Sequence, residues 1–203
     1  MTLDSARPDQ RTLRLRDPPN ATPSVSSSYS FALRYLPNDL FAPCIRRNGA
    51  LPKCCSFLWE VHHHKLNTNS CLHRHGGIND GLCLFYGTEE DVPHLFLHCP
   101  IVQTFWVVVG LLSNSVDRVE LLWEVELPGP PLLCHRSRST VLTAILWNIW
   151  KRRNARVFQN EMEPLSLVFR RCDQDLELWS HRVKSASARL CIDDWSVFLC
   201  NLT

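Results

Sequence analysis

Between Cys83 and Cys99 the chain reads CLFYGTEEDVPHLFLHC, and no other stretch restricts the fold as narrowly. Cys83, His94 and Cys99 fall at C-x10-H-x4-C. Structural zinc takes four soft or borderline donors in a tetrahedron, commonly Cys thiolate and His imidazole. Where a second cysteine would complete a C-x2-C turn, the chain has Tyr86. A neutral phenol with a pKa of about 10 is a poor zinc ligand at neutral pH. The frame of a metal site is present with one corner of its donor set replaced. Three readings stay open. A nearby donor (Cys71, His73, His75 or His98) substitutes, water fills the fourth position, or the site has lapsed and the two cysteines sit in a small helical core.

The surrounding chain can build a core. It has 203 residues, 45% of them hydrophobic, and seven tryptophans, which argues against wholesale disorder. A net charge of +2 gives no support to duplex binding by bulk charge. Ten cysteines would suit a disulfide scaffold only in a secreted chain. The N-terminal MTLDSARPDQRTLRLRDPP lacks the apolar stretch of a signal peptide, so a nuclear or cytoplasmic, reducing location is expected. The longest apolar run, Phe105 to Leu112, falls short of the ~20 residues of a membrane span.

Periodicity points to a mainly α chain. Residues 1–28 read as a flexible arm rich in Pro, Ser and Arg. A first domain over 29–112 contains a short helix from Tyr29 to Leu36, a helix over 54–66, and a second, capped by Asn67 or Thr68, that ends at Gly76-Gly77. The turn Cys83–Gly87 follows, then a helix from about Pro93 to Leu111. The stretch 113–139, with Pro128-Gly129-Pro130-Pro131, reads as a linker. A C-terminal region over 140–203 opens with helices over Thr140–Gln159 and Pro164–Ser185. The second of these has an unbroken i, i+3, i+4, i+7 pattern through Leu165, Val168, Phe169, Cys172, Leu176, Trp179 and Val183. Their connection of about five residues predicts an antiparallel hairpin, closed by a short terminal element holding Trp195 and Phe198.

The spacing and text of the Cys83–Cys99 segment resemble the zinc-binding region of reverse transcriptases from plant non-LTR, LINE-type retrotransposons, whose pattern is C-x2-C-x7-H-x4-C. GTEEDVPHLFLHCP is similar to that family's run of Gly, acidic residues, His-Leu-Phe and His-Cys-Pro. KCCSFLWEVHHHKLNTNSCLHRHG resembles its Phe-x-Trp helix and Leu-Asn-Thr turn, Ser24–Leu33 its Tyr-containing helix, and ILWNIWKRRNARVF its Trp-x-x-Trp-Lys-x-Arg-Asn segment. The resemblance implies that Cys83, His94 and Cys99 hold zinc, with Tyr86 in the place of the fourth ligand. It also implies a role in gripping RNA or single-stranded DNA.

Basic side chains fit that role best at Lys151, Arg152, Arg153 and Arg156, interleaved with Trp147 and Trp150, where phosphate contact and base stacking would combine. Charge runs are also common on plain solvated faces, and helical tryptophans in cores. The triplet His62-His63-His64 points in three directions on a helix, about 100° apart, and does not converge on an ion. No catalytic pattern emerges. The family's Tyr-x-Asp-Asp polymerase signature is absent from these residues, as are a phosphate-binding Gly loop and an H-E-x-x-H helix, so a non-enzymatic protein is expected. The rival reading is a metal-free helical relic or protein-interaction module whose 164–185 helix docks on a partner.

Overall fold

Proline and glycine set the helix boundaries. Prolines open α1 (Ala42–Arg46) and α2 (Pro52–His62), at positions where a missing N–H is harmless. Thr68 accepts a hydrogen bond from the Cys71 N–H at the start of α3 (Asn69–Arg74), the N-cap that the sequence leads one to expect. Pro100 opens α4 (Pro100–Val109), and Gly110 ends it in the left-handed conformation at φ 96°. Three longer helices follow: α5 (His135–Asn154), α6 (Leu165–Ser180) and α7 (Ala186–Cys200). Single π-helical turns occur at His94–His98 and Ala155–Gln159. The structure is a computed structural model that describes residue 39 and residues 41–202. The arm over 1–28 and the helix over 29–36 lie outside the described residues.

The mainly α expectation is borne out. Among the described residues the extended pairing is one antiparallel bridge, Leu82 to Glu89. None of the described helices is long and apolar enough to cross a membrane.

Helix α5 is the hub. It packs against α1, α2, α6, α7 and the 3-10 turn Val119–Trp123, which is why it is buried nearly all round rather than along one stripe. It starts at His135, five residues before the start that periodicity indicates. Residues 134–139 (CHRSRS) look like loop, but Ser139, with Thr140 and Thr143 just beyond, meets tertiary partners. Ser139 Oγ accepts from Trp123 Nε1 at 2.9 Å, and Thr140 Oγ1 accepts from the Gly49 N–H at 2.9 Å. Asn48 Nδ2 donates to Thr143 Oγ1 at 2.7 Å. Gly49 is needed for this approach, since a Cβ there would stand 2.7 Å from Val183 Cγ2.

Two sequence-based boundaries change. The described residues from 41 to 202 form one unit, and the 113–139 stretch is not a free linker within it. Val116, Val119, Leu122, Trp123 and Leu127 are buried in the common core, and Arg138 ties the backbone carbonyls of Leu122 and Val125 to α5. The short terminal element is a full helix, α7, packed extensively on α6. The expected hairpin is therefore a three-helix arrangement with α5. The apolar face of α6 (Val168, Phe169, Cys172, Leu176, Trp179) is buried in this arrangement, so it does not offer a partner the docking stripe that its periodicity suggests.

One buried ion pair joins α5 to the loop before the π-turn. Arg153, 2% exposed, reaches Glu90, 1% exposed, at 2.6 Å, and its Nη2 donates to Asn69 Oδ1 at 2.5 Å. Removing one member of such a pair strands the other charge away from water. Arg153→Ala is expected to lower the unfolding free energy by about 3–5 kcal/mol. Lys151→Ala, which deletes a partly exposed pair with Asp175, costs about 0–1 kcal/mol. Urea denaturation of both variants checks the contrast.

Candidate metal centre

The first donor is built by a tight turn. The Cys83 N–H donates to the Thr88 carbonyl at 2.7 Å, and the Tyr86 and Gly87 N–H groups return to the Cys83 carbonyl at 3.2 and 2.7 Å. Gly87 takes φ 75° to close the turn. The backbone N–H groups of Phe85 and Tyr86 hydrogen-bond the Cys83 sulfur.

The other two donors are set by an unusual turn. Asp91 Oδ1 accepts from the His94 N–H at 2.7 Å and starts the helix. On an α-helix, residues five apart point about 140° away from each other. Here the chain makes a π-turn instead, with the Cys99 N–H donating to the His94 carbonyl at 2.7 Å. Pro100 then bars Cys99 from helical geometry, and Cys99 is extended at φ −61°, ψ 125°. The helix expected to run unbroken from Pro93 to Leu111 is split at the ligand. Ile101 and Val102 direct their N–H groups at the Cys99 sulfur.

These turns converge. Cys83, one ring nitrogen of His94, and Cys99 lie within 4.8 Å of one another. The two sulfurs are 3.9 Å apart. That is far beyond a disulfide bond but close to the edge of a tetrahedron with zinc–sulfur bonds of ~2.3 Å, about 3.8 Å. His94 Nδ1 meets Thr88 Oγ1 at 3.3 Å, whereas Nε2 is buried with no hydrogen-bond partner. An orphaned imidazole nitrogen beside two thiols is a fit for a thiophilic metal. Cys83 Sγ, His94 Nε2 and Cys99 Sγ would hold it, with Thr88 orienting the ring from behind.

The thiols are electrostatically unequal. A hydrogen bond from Cys99 holds Cys83 well below the usual thiol range. The same hydrogen bond, reinforced by burial, pushes Cys99 up. Arg152 lies beside this pair, with Cys83 and Cys99 lining the same small cavity.

The fourth corner is not supplied by any expected substitute. Tyr86 is 61% exposed and stands outside the cluster. His98 Nε2 is bonded to the Val116 carbonyl at 3.0 Å. Cys71 and His75 pair with each other on α3, His75 Nδ1 meeting the Cys71 carbonyl at 2.7 Å, and His73 turns to the Ile78 carbonyl. None of these joins Cys83, His94 and Cys99.

The residues proposed from sequence for nucleic-acid contact are dispersed. Arg153 is buried on Glu90, a correction to its place on a basic face. Its neighbours Lys151, Arg152 and Asn154 are polar, so in sequence it reads as part of a solvated run, and nothing in the text of the chain marks Glu90 as its partner. Lys151 pairs with Asp175 at 3.4 Å, and Arg152 Nε donates to the Glu163 carbonyl at 2.9 Å. Arg156 donates to Asn160 Oδ1 at 2.6 Å. Trp150 is half-buried, stacked on Phe57 with ring centroids 6.3 Å apart and the Arg153 guanidinium 4.9 Å from its centroid. Sequence reading also passed over Asp91 and Thr88. Asp91, two residues before a proline, carries a helix-cap signal; Thr88 carries none.

Residues 24–106 match the protein family described as zinc-binding in reverse transcriptase. This part of the chain is similar to the zinc-binding domains of reverse transcriptases. The matched residues include α1 to α3, the Cys83–Gly87 turn and the π-turn, and stop within α4 at Trp106. No curated protein and no solved structure matches the chain. The family match reaches all three clustered donors, and the departure at Tyr86 falls inside it.

Tyr86→Cys is expected to strengthen metal binding by adding a third thiolate, and so a fourth donor, from the turn, and Cys83→Ser to weaken it in either background. Cobalt substitution, read by the thiolate-to-metal absorption band and by zinc competition, checks both. Affinity should fall on acidification in every variant, because the thiolates must lose their protons to bind.

Proposed function

We propose that this chain is a non-catalytic nucleic-acid-binding module of a plant LINE-type retrotransposon reverse transcriptase, acting on RNA or single-stranded DNA in the nucleus or cytoplasm. The observation that carries this reading is the convergence of Cys83, His94 and Cys99 inside the stretch that matches the reverse-transcriptase zinc-binding family. Zinc, when bound, supplies a cross-link between the Cys83–Gly87 turn and the π-turn. The protein's own contribution is to hold the donors. Backbone N–H groups aim at each sulfur, Thr88 orients His94, and the Arg153–Glu90 pair fixes the loop from which they project.

One observation favours a second reading, a metal-free helical protein-interaction module. Cys83 and Cys99 are 3% and 1% exposed and pack with Leu95, Val102 and Phe105 in a core that continues through α5 and α6. A core of this extent can fold without an ion, unlike a small zinc finger.

The readings separate on protein purified under reducing conditions. Near one zinc per chain by elemental analysis, lost in Cys83→Ser, together with RNA affinity that falls linearly in log salt, is the expected result. A metal-free chain that binds no nucleic acid but self-associates with concentration would establish the second reading instead.

A further inference from the structure

The basic run of α5 is largely occupied by intramolecular partners, yet another surface carries exposed cations without carboxylate partners, Arg74 Nε meeting only the Ser70 carbonyl at 3.4 Å. Between α2 and α3 the chain reverses at His64, whose φ of 52° is rare for a side chain of this size. The residues around this reversal line an open groove of about 640 Å³: His64, Lys65, Asn67, Cys71, Arg74 and His75, with Leu72 at its base. No aspartate or glutamate lines it. Among the described residues neither Lys65 nor Arg74 forms an ion pair, and both are exposed.

An aromatic ring stands beside the groove. Trp59 is 42% exposed, the Lys65 ammonium sits 4.9 Å from its ring centroid, and the His63 ring is 4.4 Å away. Trp59 itself lines an adjoining groove with Ile45, Cys55 and Glu60, and Lys65, which lines the first groove, is what links the ring to it. A large exposed indole costs solvation, and a lysine parked over it holds a cation at the rim. Unpaired cations in a concave surface next to an exposed aromatic are the two parts of a single-strand binding site: one takes phosphate and the other stacks a base.

We propose that this α2–α3 groove, and not α5, is where the chain grips single-stranded RNA. Lys65 and Arg74 meet successive phosphates, His64 and His75 donate to the same backbone, and Trp59 stacks a base. Duplex fits poorly, because the groove is formed at a loop between short helices and offers no long element to enter a major groove. This assignment rests on the nucleic-acid reading above and adds to it the residues that make contact.

The test is fluorescence anisotropy of the full chain with a labelled oligouridine, across a salt series. Lys65→Glu/Arg74→Glu is expected to weaken binding at least about tenfold and to reduce the salt slope by about 1.4, two phosphates' worth for a single strand. Trp59→Ala is expected to weaken binding roughly fivefold or more with the slope unchanged. The neutral Lys65→Gln/Arg74→Gln variant, checked for an unchanged thermal melt, guards against a folding artefact and should lose the same slope. If Arg156→Glu weakens binding while the groove variants do not, the groove assignment falls and the nucleic-acid reading stands. If the unaltered chain shows no salt-dependent binding at all, both fall.

Discussion

The contact on which the arrangement of this protein depends is the buried triangle of Arg153, Glu90 and Asn69. A guanidinium and a carboxylate both removed from water are costly unless every donor and acceptor is met. Here Arg153 Nε and Nη2 both reach Glu90, Nη2 also reaches Asn69, Nη1 reaches Asn154, and Glu90 Oε1 accepts the Asn69 N–H at 2.8 Å. The network is satisfied in one docking of α5 against the 81–90 loop and α3. Displacing α5 would leave a bare charge on each side, so the pair selects that docking over alternatives that apolar burial alone would tolerate.

The metal centre inherits its geometry from this anchor. Glu90 is pinned by its side chain, while its N–H donates to the Gly81 carbonyl and its carbonyl accepts from the Ser70 N–H. The chain leaves that fixed point toward Asp91 and the π-turn. A π-turn is a rare choice for a backbone, and such turns collect at functional positions. Here it answers a geometric need: the x4 spacing between His94 and Cys99 is one π-helical hydrogen bond, and Pro100 prevents the helix from carrying Cys99 away. The donors and their supporting N–H groups are in place while Tyr86 faces solvent. The frame of the candidate site is preorganised, and the position of a second turn cysteine carries Tyr86.

Much of the candidate site was legible because its chemistry is local. Cys83, His94 and Cys99 could be read from spacing, the Thr68 cap from its side chain, and the Cys83–Gly87 turn from glycine. The departure at Tyr86 was equally plain. Misreadings arose where tertiary partners decide the state of a residue. CHRSRS looks like loop until Trp123, Gly49 and Asn48 are placed against it, and the 113–139 stretch looks like linker because its buried residues are too widely spaced to show a period. Arg153 looks like one charge among four.

The sequence by itself determined the helical class, several helix ends and the identity of three candidate metal donors. Each follows from residues within a turn or two of one another, where propensity, capping and proline geometry act without help. Tertiary structure alone decided which cations are exposed. Arg153 and Glu90 are 63 residues apart, and no local pattern can pair charges over that distance. The same long-range packing takes up the basic side chains of α5 and leaves Lys65 and Arg74 facing water beside Trp59.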